Sequence, residues 1–161
     1  MTSARTTYRV ELRQLATQPA AVIHETVEMA DLGEWMGKVF GEVEAYLREM
    51  GVAPAGPPFS RYFSMPDDGV DVESGFPTAT TVARRGRITP TELPGGSVAV
   101  TTHMGPYETV SAAYEAIGQW LVEQGRHPAG PFWEVYYTDP TEVPDPSQWR
   151  TDVFQPLAPE A

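Results

Sequence analysis

The chain has 161 residues, of which 41% are apolar and 20% charged, with no cysteine and a formal net charge of −11. That is the size of one globular domain with a single sizeable core. The composition excludes disulfides and thiolate chemistry, and no run approaches the roughly 18 apolar residues of a membrane helix. A nucleic-acid-binding surface would need a basic patch, and Arg84, Arg85 and Arg87 are the one basic cluster, so direct nucleic-acid binding is not expected. The N-terminus, MTSARTTYRVELRQ, lacks the apolar centre of a signal peptide. The reading is a cytoplasmic protein with no membrane association. The acidic balance has two explanations, a field favouring cationic ligands or solubility alone.

In chain order, Tyr8 to Leu15 reads as a strand, Gln18-Pro19 as a turn, and Ala20 to Val27 as a second strand. Asp31 caps a helix running to about Met50, with Met36, Val39, Phe40, Val43, Tyr46, Leu47 and Met50 at helical spacing and Gly51 as its stop. Phe59 to Met65 is a strand, Pro66-Asp67-Asp68-Gly69 a turn, and Val70 to Phe76 its hairpin partner. Arg87 to Leu93 is a strand interrupted by Pro90, and Pro94-Gly95-Gly96 turns into the strand Ser97 to Met104. Pro106 opens a second helix with a buried stripe of Val110, Ala113, Tyr114, Ile117, Trp120 and Leu121, closed by Gly125. Phe132 to Thr138 is a strand, Asp139 to Trp149 a proline-rich loop, Thr151 to Leu157 a closing strand, and Ala158 to Ala161 a loose tail. Antiparallel hairpins with two helices make this α+β. The helices are expected as a pair on one side of one sheet, or of two abutting sheets.

The segment GVAPAGPPFSRYF at residues 51–63 is repeated as GRHPAGPFWEVYY at residues 125–137, a constant offset of 74 (125 minus 51). The preceding helices match at the same offset, with Phe40/Tyr114, Val43/Ile117, Tyr46/Trp120, Leu47/Leu121 and Glu49/Glu123. Two copies of a β-α-β-β unit, about 18–80 and about 86–157, imply a pseudo-twofold domain. One position breaks the symmetry: Ser60 in the first copy is Glu134 in the second.

In a strand over this segment, Phe132, Glu134 and Tyr136 share one face and Trp133, Val135 and Tyr137 the other. Burying a carboxylate among large apolar groups is costly unless it is paired or neutral, and desolvation raises its pKa. Such a group can serve as counter-ion to an organic cation or as a general acid or base near neutral pH. The structural alternative is a glutamate paired with an arginine or lying at a wet sheet edge. Tyr62, Tyr107, Trp133, Tyr136, Trp149 and Phe154 fall on strand ends and loops near the dyad. Each has core packing as its alternative, but together they fit a mostly apolar ligand site. Phe40, Tyr46, Tyr114 and Trp120 read as core. His24 and His103 occupy similar points of their repeats and could meet at the dyad, but His24, His103 and His127 lack ligand spacing, so no metal is expected. No Gly-x-Ser-x-Gly motif is present.

His103-Met104-Gly105-Pro106-Tyr107, Tyr114, Trp120-Leu121, Gly130-Pro131, Glu134-Val135-Tyr136 and Asp139-Pro140 together resemble the GyrI-like small-molecule-binding family. This is also the effector-binding domain of multidrug-sensing regulators such as BmrR and of some AraC-type activators. The resemblance runs from about residue 7 to 157. It implies a single effector-binding domain over residues 1–161. The implied fold is two β-α-β-β repeats (SHS2-like) forming a curved antiparallel sheet with two long helices. It implies a pocket at the dyad with Glu134 as its acid and Tyr136 beside it. Tyr62, Tyr107, Trp133, Trp149, Phe154 and His103 complete the ligand-binding set. Residues 1–7 are too few for a helix-turn-helix, so the reading is a stand-alone member. The implied function is polyspecific binding of hydrophobic, often cationic, drugs and dyes, without a cofactor. The alternatives are hydrolysis of cyclopropane-containing genotoxins, with Glu134 and Tyr136 as catalytic residues, or a gyrase-inhibitor-like interaction with a protein.

Overall fold

A computed structural model describes residues 8–64, 69–138 and 142–159. Among them, eight strands form one antiparallel sheet: β1 (Glu11–Leu15), β2 (Gln18–Val27), β3 (Phe59–Ser64), β4 (Val70–Pro77), β5 (Ile88–Leu93), β6 (Gly96–Met104), β7 (Trp133–Tyr136) and β8 (Arg150–Pro156). Helix α1 (Leu32–Glu49) lies between β2 and β3, and α2 (Ser111–Gln124) between β6 and β7. The sheet order is β1-β6-β8-β7-β3-β4-β2-β5. The two repeats, β2-α1-β3-β4 and β6-α2-β7-β8, therefore meet where β3 pairs with β7. No helix of the described residues is long and apolar enough to cross a membrane.

The sheet is strongly curled. β1 and β2 are six strands apart in the order yet are joined by Ala16-Thr17 alone. A flat sheet would separate them by about 29 Å, whereas three peptide steps reach about 11 Å. The edges must come round to meet, making a half-barrel. The links β1–β2 and β5–β6 cross there. A Cβ on Gly95 would lie 2.9 Å from the Leu15 carbonyl oxygen and the Thr17 nitrogen, so only glycine fits the crossing. The inside of the curl is filled by Ala20, Val22, Phe59, Leu93, Val98, Val100, Trp133, Val135 and Phe154.

Both helices cover the other face. Ile23, Ser74, Ser60, Glu134, Val153 and Thr101 are successive register partners across six strands, so they share one face. α1 packs over Ile23 through Val39, Val43, Tyr46 and Leu47. α2 packs over Val153 through Ala113 and Ile117. Each such buried aliphatic side chain contributes about 1.5–3 kcal/mol. The middle of the row, Ser60 and Glu134, is left between the helices.

The repeated Gly-x-x-Pro-Ala-Gly-Pro motif is a helix stop and dock. Gly51 (φ 72°) and Gly125 (φ 63°) take the left-handed conformation that ends each helix. The Val52 N–H then donates to the Leu47 carbonyl at 2.8 Å, and the equivalent Arg126 N–H to the Leu121 carbonyl at 2.9 Å. Ala55 and Ala129 follow by donating at 2.8 Å to the carbonyls of Pro77 and Pro156, which end the last strand of each unit.

Some boundaries differ from the sequence reading. Gln18-Pro19 belongs to β2 rather than to a turn, because a proline near a strand start need not donate to the ladder. Pro90 does not break β5, which is an edge strand and can spare one donor. Asp31 precedes α1 but its side chain makes no capping bond; a 3₁₀ turn, Met29–Asp31, leads into the helix instead. The first strand begins at Glu11 rather than Tyr8, and the Phe132–Thr138 strand shortens to Trp133–Tyr136. Residue 65 at the end of the expected strand, residues 66–68 of the expected turn, the start of the proline-rich loop at 139–141 and the last two residues lie outside the described ones.

Candidate functional site

Ser60 and Glu134 are equivalent under the repeat and are also each other's cross-strand partners. The pseudo-dyad therefore passes between them. Ser60 is fully buried and shares a 2.6 Å hydrogen bond with Ser74, a neutral pair. Glu134 is 8% exposed and is ringed by tyrosines. Tyr114, from α2, donates to its Oε2. Tyr136 donates to its Oε1 at 2.9 Å. The Tyr62 hydroxyl lies 3.1 Å from that of Tyr136. The Tyr136 proton is committed to Glu134, so Tyr62 donates to Tyr136. The chain of bonds runs Tyr62 to Tyr136 to Glu134, with Tyr114 arriving from the other side.

Among the described residues no ion pair or hydrogen bond joins Glu134 to a lysine or arginine. Burial raises its carboxyl above the ordinary range, and hydrogen bonds from the surrounding tyrosines, Tyr114 first and then Tyr136, oppose that rise. Burial likewise raises the phenols of Tyr62, Tyr114 and Tyr136, and the charge of Glu134 adds to the effect. The phenols thus stay protonated as donors, and the charge of Glu134, when it is ionised, has hydroxyl support but no lysine or arginine beside it among the described residues.

Aromatic rings close the space over this cluster. Tyr136 meets Tyr107 edge-on with centroids 5.8 Å apart and Phe40 of α1 at 6.1 Å. Tyr107 stacks on Trp149 at 5.0 Å, and Phe132 contacts both Tyr62 and Tyr114 at 5.5 and 4.6 Å. The cover is held from outside. The Gly105 N–H donates to the Trp149 carbonyl at 2.9 Å, and the Trp149 indole N–H to the Val143 carbonyl at 2.6 Å.

The structure thus brings Glu134, Tyr136, Tyr62, Tyr107 and Trp149 together as expected from the sequence. It does not bring in Trp133 and Phe154. They stack on each other at 5.2 Å inside the curl, on the far face of the sheet, because Trp133 precedes Glu134 by one residue and points the opposite way. His103 is on the helix face and buried, but its ring is engaged elsewhere. Nδ1 lies 2.8 Å from the Tyr8 hydroxyl, and Nε2 is 3.0 Å from the Pro106 carbonyl, which can only accept, so Nε2 carries the hydrogen. It fixes the turn that presents Tyr107. His24 does not approach it: it lies against Phe63 and Asp71, whose side chains point away from the helices. The described residues hold no group of three or more His, Asp or Glu placed to ligate an ion.

Sequence reasoning missed Tyr114, assigned to the helix core. The signal was present: at the repeat offset its mate is Phe40, so a hydroxyl is gained in the second copy where Ser60 gives way to Glu134. The two asymmetries belong to one site. Phe132 and Phe40 were also missed, since apolar rings carry no polar mark.

The model of the GyrI-like small molecule binding domain matches residues 8–158. The chain belongs to this family. No curated protein matches its sequence. Among solved structures, the EcmrR C-terminal domain is similar over 96% of this chain and 100% of its own, with a TM-score of 0.84 at 17% identity. EcmrR is also seen in a complex with DNA, where the GyrI-like chain spans 58% of the EcmrR chain (TM-score 0.82, 18% identity). SAV2435 bound to tetraphenylphosphonium matches 93% of this chain and 94% of its own (TM-score 0.67, 15% identity). A hydrolase from Listeria innocua matches 93% and 92% (TM-score 0.69, 13% identity). At these identities the likeness establishes the fold.

Proposed function

We propose that this GyrI-like domain binds flat or bulky lipophilic cations between its two helices, with Glu134 as counter-ion and the surrounding rings as an adaptable wall. One observation carries the reading: a buried carboxylate, supported by tyrosine hydroxyls, that no lysine or arginine among the described residues neutralises. An organic cation completes that arrangement, and aromatic faces add cation–π attraction. The tetraphenylphosphonium on the structurally similar SAV2435 is a cation of this kind. The test is calorimetric titration of tetraphenylphosphonium and of neutral triphenylphosphine oxide against wild type and Glu134→Gln. Removing one partner of a buried charge pair costs about 2–5 kcal/mol, so the cation should weaken roughly 30-fold or more while the neutral compound changes little. Equal losses for both would sink the counter-ion role.

A second reading, hydrolysis of a strained-ring electrophile, is favoured by the 2.9 Å bond between Tyr136 and Glu134. Ionised Glu134 would take a proton from water as the water oxygen bonds the ring carbon. The opening carbon–carbon bond would pass its electrons to a conjugated acceptor protonated by a tyrosine. A carboxyl raised above its ordinary range by burial suits a general base, and a structural neighbour is a hydrolase. This reading requires turnover that vanishes in Glu134→Gln while the substrate still binds.

A further inference from the structure

We propose that Thr151 is a specificity-determining residue of the Glu134 site, its hydroxyl exchanging a hydrogen bond with a polar group on the bound ligand. The proposal rests on reading that site as a ligand pocket.

Thr151 stands on β8 directly opposite His103 on one side and Tyr136 on the other. It is two residues from Val153, the register partner of Glu134, so it shares the helix-covered face. From Glu134 it is a diagonal neighbour, at about 7–8 Å. It is fully buried, and its Oγ1 has no hydrogen-bond partner among the described residues. The side chains of its two cross-strand neighbours are engaged elsewhere. The His103 ring is occupied by Tyr8, Pro106 and Thr109. The Tyr136 hydroxyl is occupied by Glu134 and Tyr62.

A buried hydroxyl without a partner has lost its water for nothing. Valine has nearly the same shape and would fill the position without that cost. The polar clusters on the other face show how this chain treats buried polarity that is only structural. Arg61 is bonded to Glu73, and Asp152 receives bonds from Thr102 and Arg150. Thr151 departs from that pattern on the one face that carries Glu134.

The hydroxyl can both donate and accept, so it selects ligands rather than one ligand. The favoured class is an amphipathic cation with a hydrogen-bonding group, an amine N–H or a carbonyl, set about 7–8 Å from the charge. A cation with only hydrocarbon around its charge would not use it.

The test compares two probes on the full chain: rhodamine 6G, which carries N–H and ester groups, and tetraphenylphosphonium, which carries neither. Dissociation constants are measured for wild type, Thr151→Val, Thr151→Ser and Glu134→Gln. Thr151→Val should weaken rhodamine 6G about tenfold, Thr151→Ser should recover most of that, and tetraphenylphosphonium should change by less than about twofold. Equal changes for both probes, or none for rhodamine 6G, would overturn the proposal. So would a lower melting temperature for Thr151→Val without probe discrimination, which marks a structural hydrogen bond. If both probes survive Glu134→Gln, the counter-ion reading fails while the Thr151 contrast still decides this one. If neither binds the wild type, both fail.

Discussion

The two halves of this molecule share a frame and differ in chemistry. In the first, the dyad position is Ser60, bonded to Ser74, and the facing helix offers Phe40. In the second, it is Glu134, and the facing helix offers the hydroxyl of Tyr114. The strand tyrosines, Tyr62 and Tyr136, are the same in both and bond to each other across the axis. The matched tyrosines join the halves across the axis, and the unmatched residues supply a single charge, its support and, in Tyr107, Phe132 and Trp149, most of the surrounding rings. A single charge is what the position tolerates, since equivalent residues face each other at the dyad and two carboxylates there would be buried side by side.

The largest test of that contrast is to make the halves alike. Ser60→Glu places a second buried carboxylate opposite the first. It should destabilise the fold by about 3–5 kcal/mol, the cost of an uncompensated buried charge. Adding Glu134→Ser should recover part of the loss and move the cation site to the other side of the axis. A Ser60→Glu chain with an unchanged melting temperature would show that the dyad is wetter than the burial of both residues implies.

A smaller effect is expected at the helices. Tyr114→Phe removes one donor to Glu134 and leaves Oε2 unsatisfied, costing about 1–3 kcal/mol. With less support for its charge, the carboxyl rises further. Cation affinity at neutral pH should drop and should return as pH is raised. Phe40→Tyr, the mirror change, adds a hydroxyl to a ring that touches Phe76 and Tyr136 and bonds no carboxylate, so it should lower affinity much less. Affinity that falls equally in both would dissolve the distinction between the helices.

The smallest effect is a slope with pH. The folded state holds the Glu134 proton at pH values where the unfolded chain has lost it. This stabilisation is complete below the unfolded carboxyl range, about 4.3, and declines as pH rises through the folded value. Cation binding needs the charged form, so affinity should rise over the same interval. Melting temperatures and dissociation constants of wild type and Glu134→Gln across that range test this. A wild-type slope that matches the glutamine variant would mean that Glu134 stays ionised.

The repeat was the most legible part of the sequence, and most of its residues turn out to be architectural. Gly51, Ala55, Gly125 and Ala129 stop two helices and dock them onto two strand ends. Strand alternation separated Glu134 from Trp133, yet Trp133 and Phe154 still entered the expected site because aromatic character marks both cores and pockets. Tyr114 showed the reverse error. A helical stripe position reads as core, and only the placement of α2 over the dyad turns its hydroxyl to the carboxylate. His24 and His103 hold similar places in their repeats, but one pleat of difference sends them to opposite faces.

The sequence by itself determined the two-unit frame, the helix stops and the position of the single asymmetric acid, because these depend on local periodicity, on glycine's access to positive φ and on an offset that can be counted. The tertiary structure alone decided that β3 pairs with β7 in the register that sets Ser60 against Glu134. It also decided which aromatic rings share that face, and that Thr151 is buried there without a partner among the described residues. Register and curl arise from contacts between strands far apart in the chain, and no local pattern of residues records them.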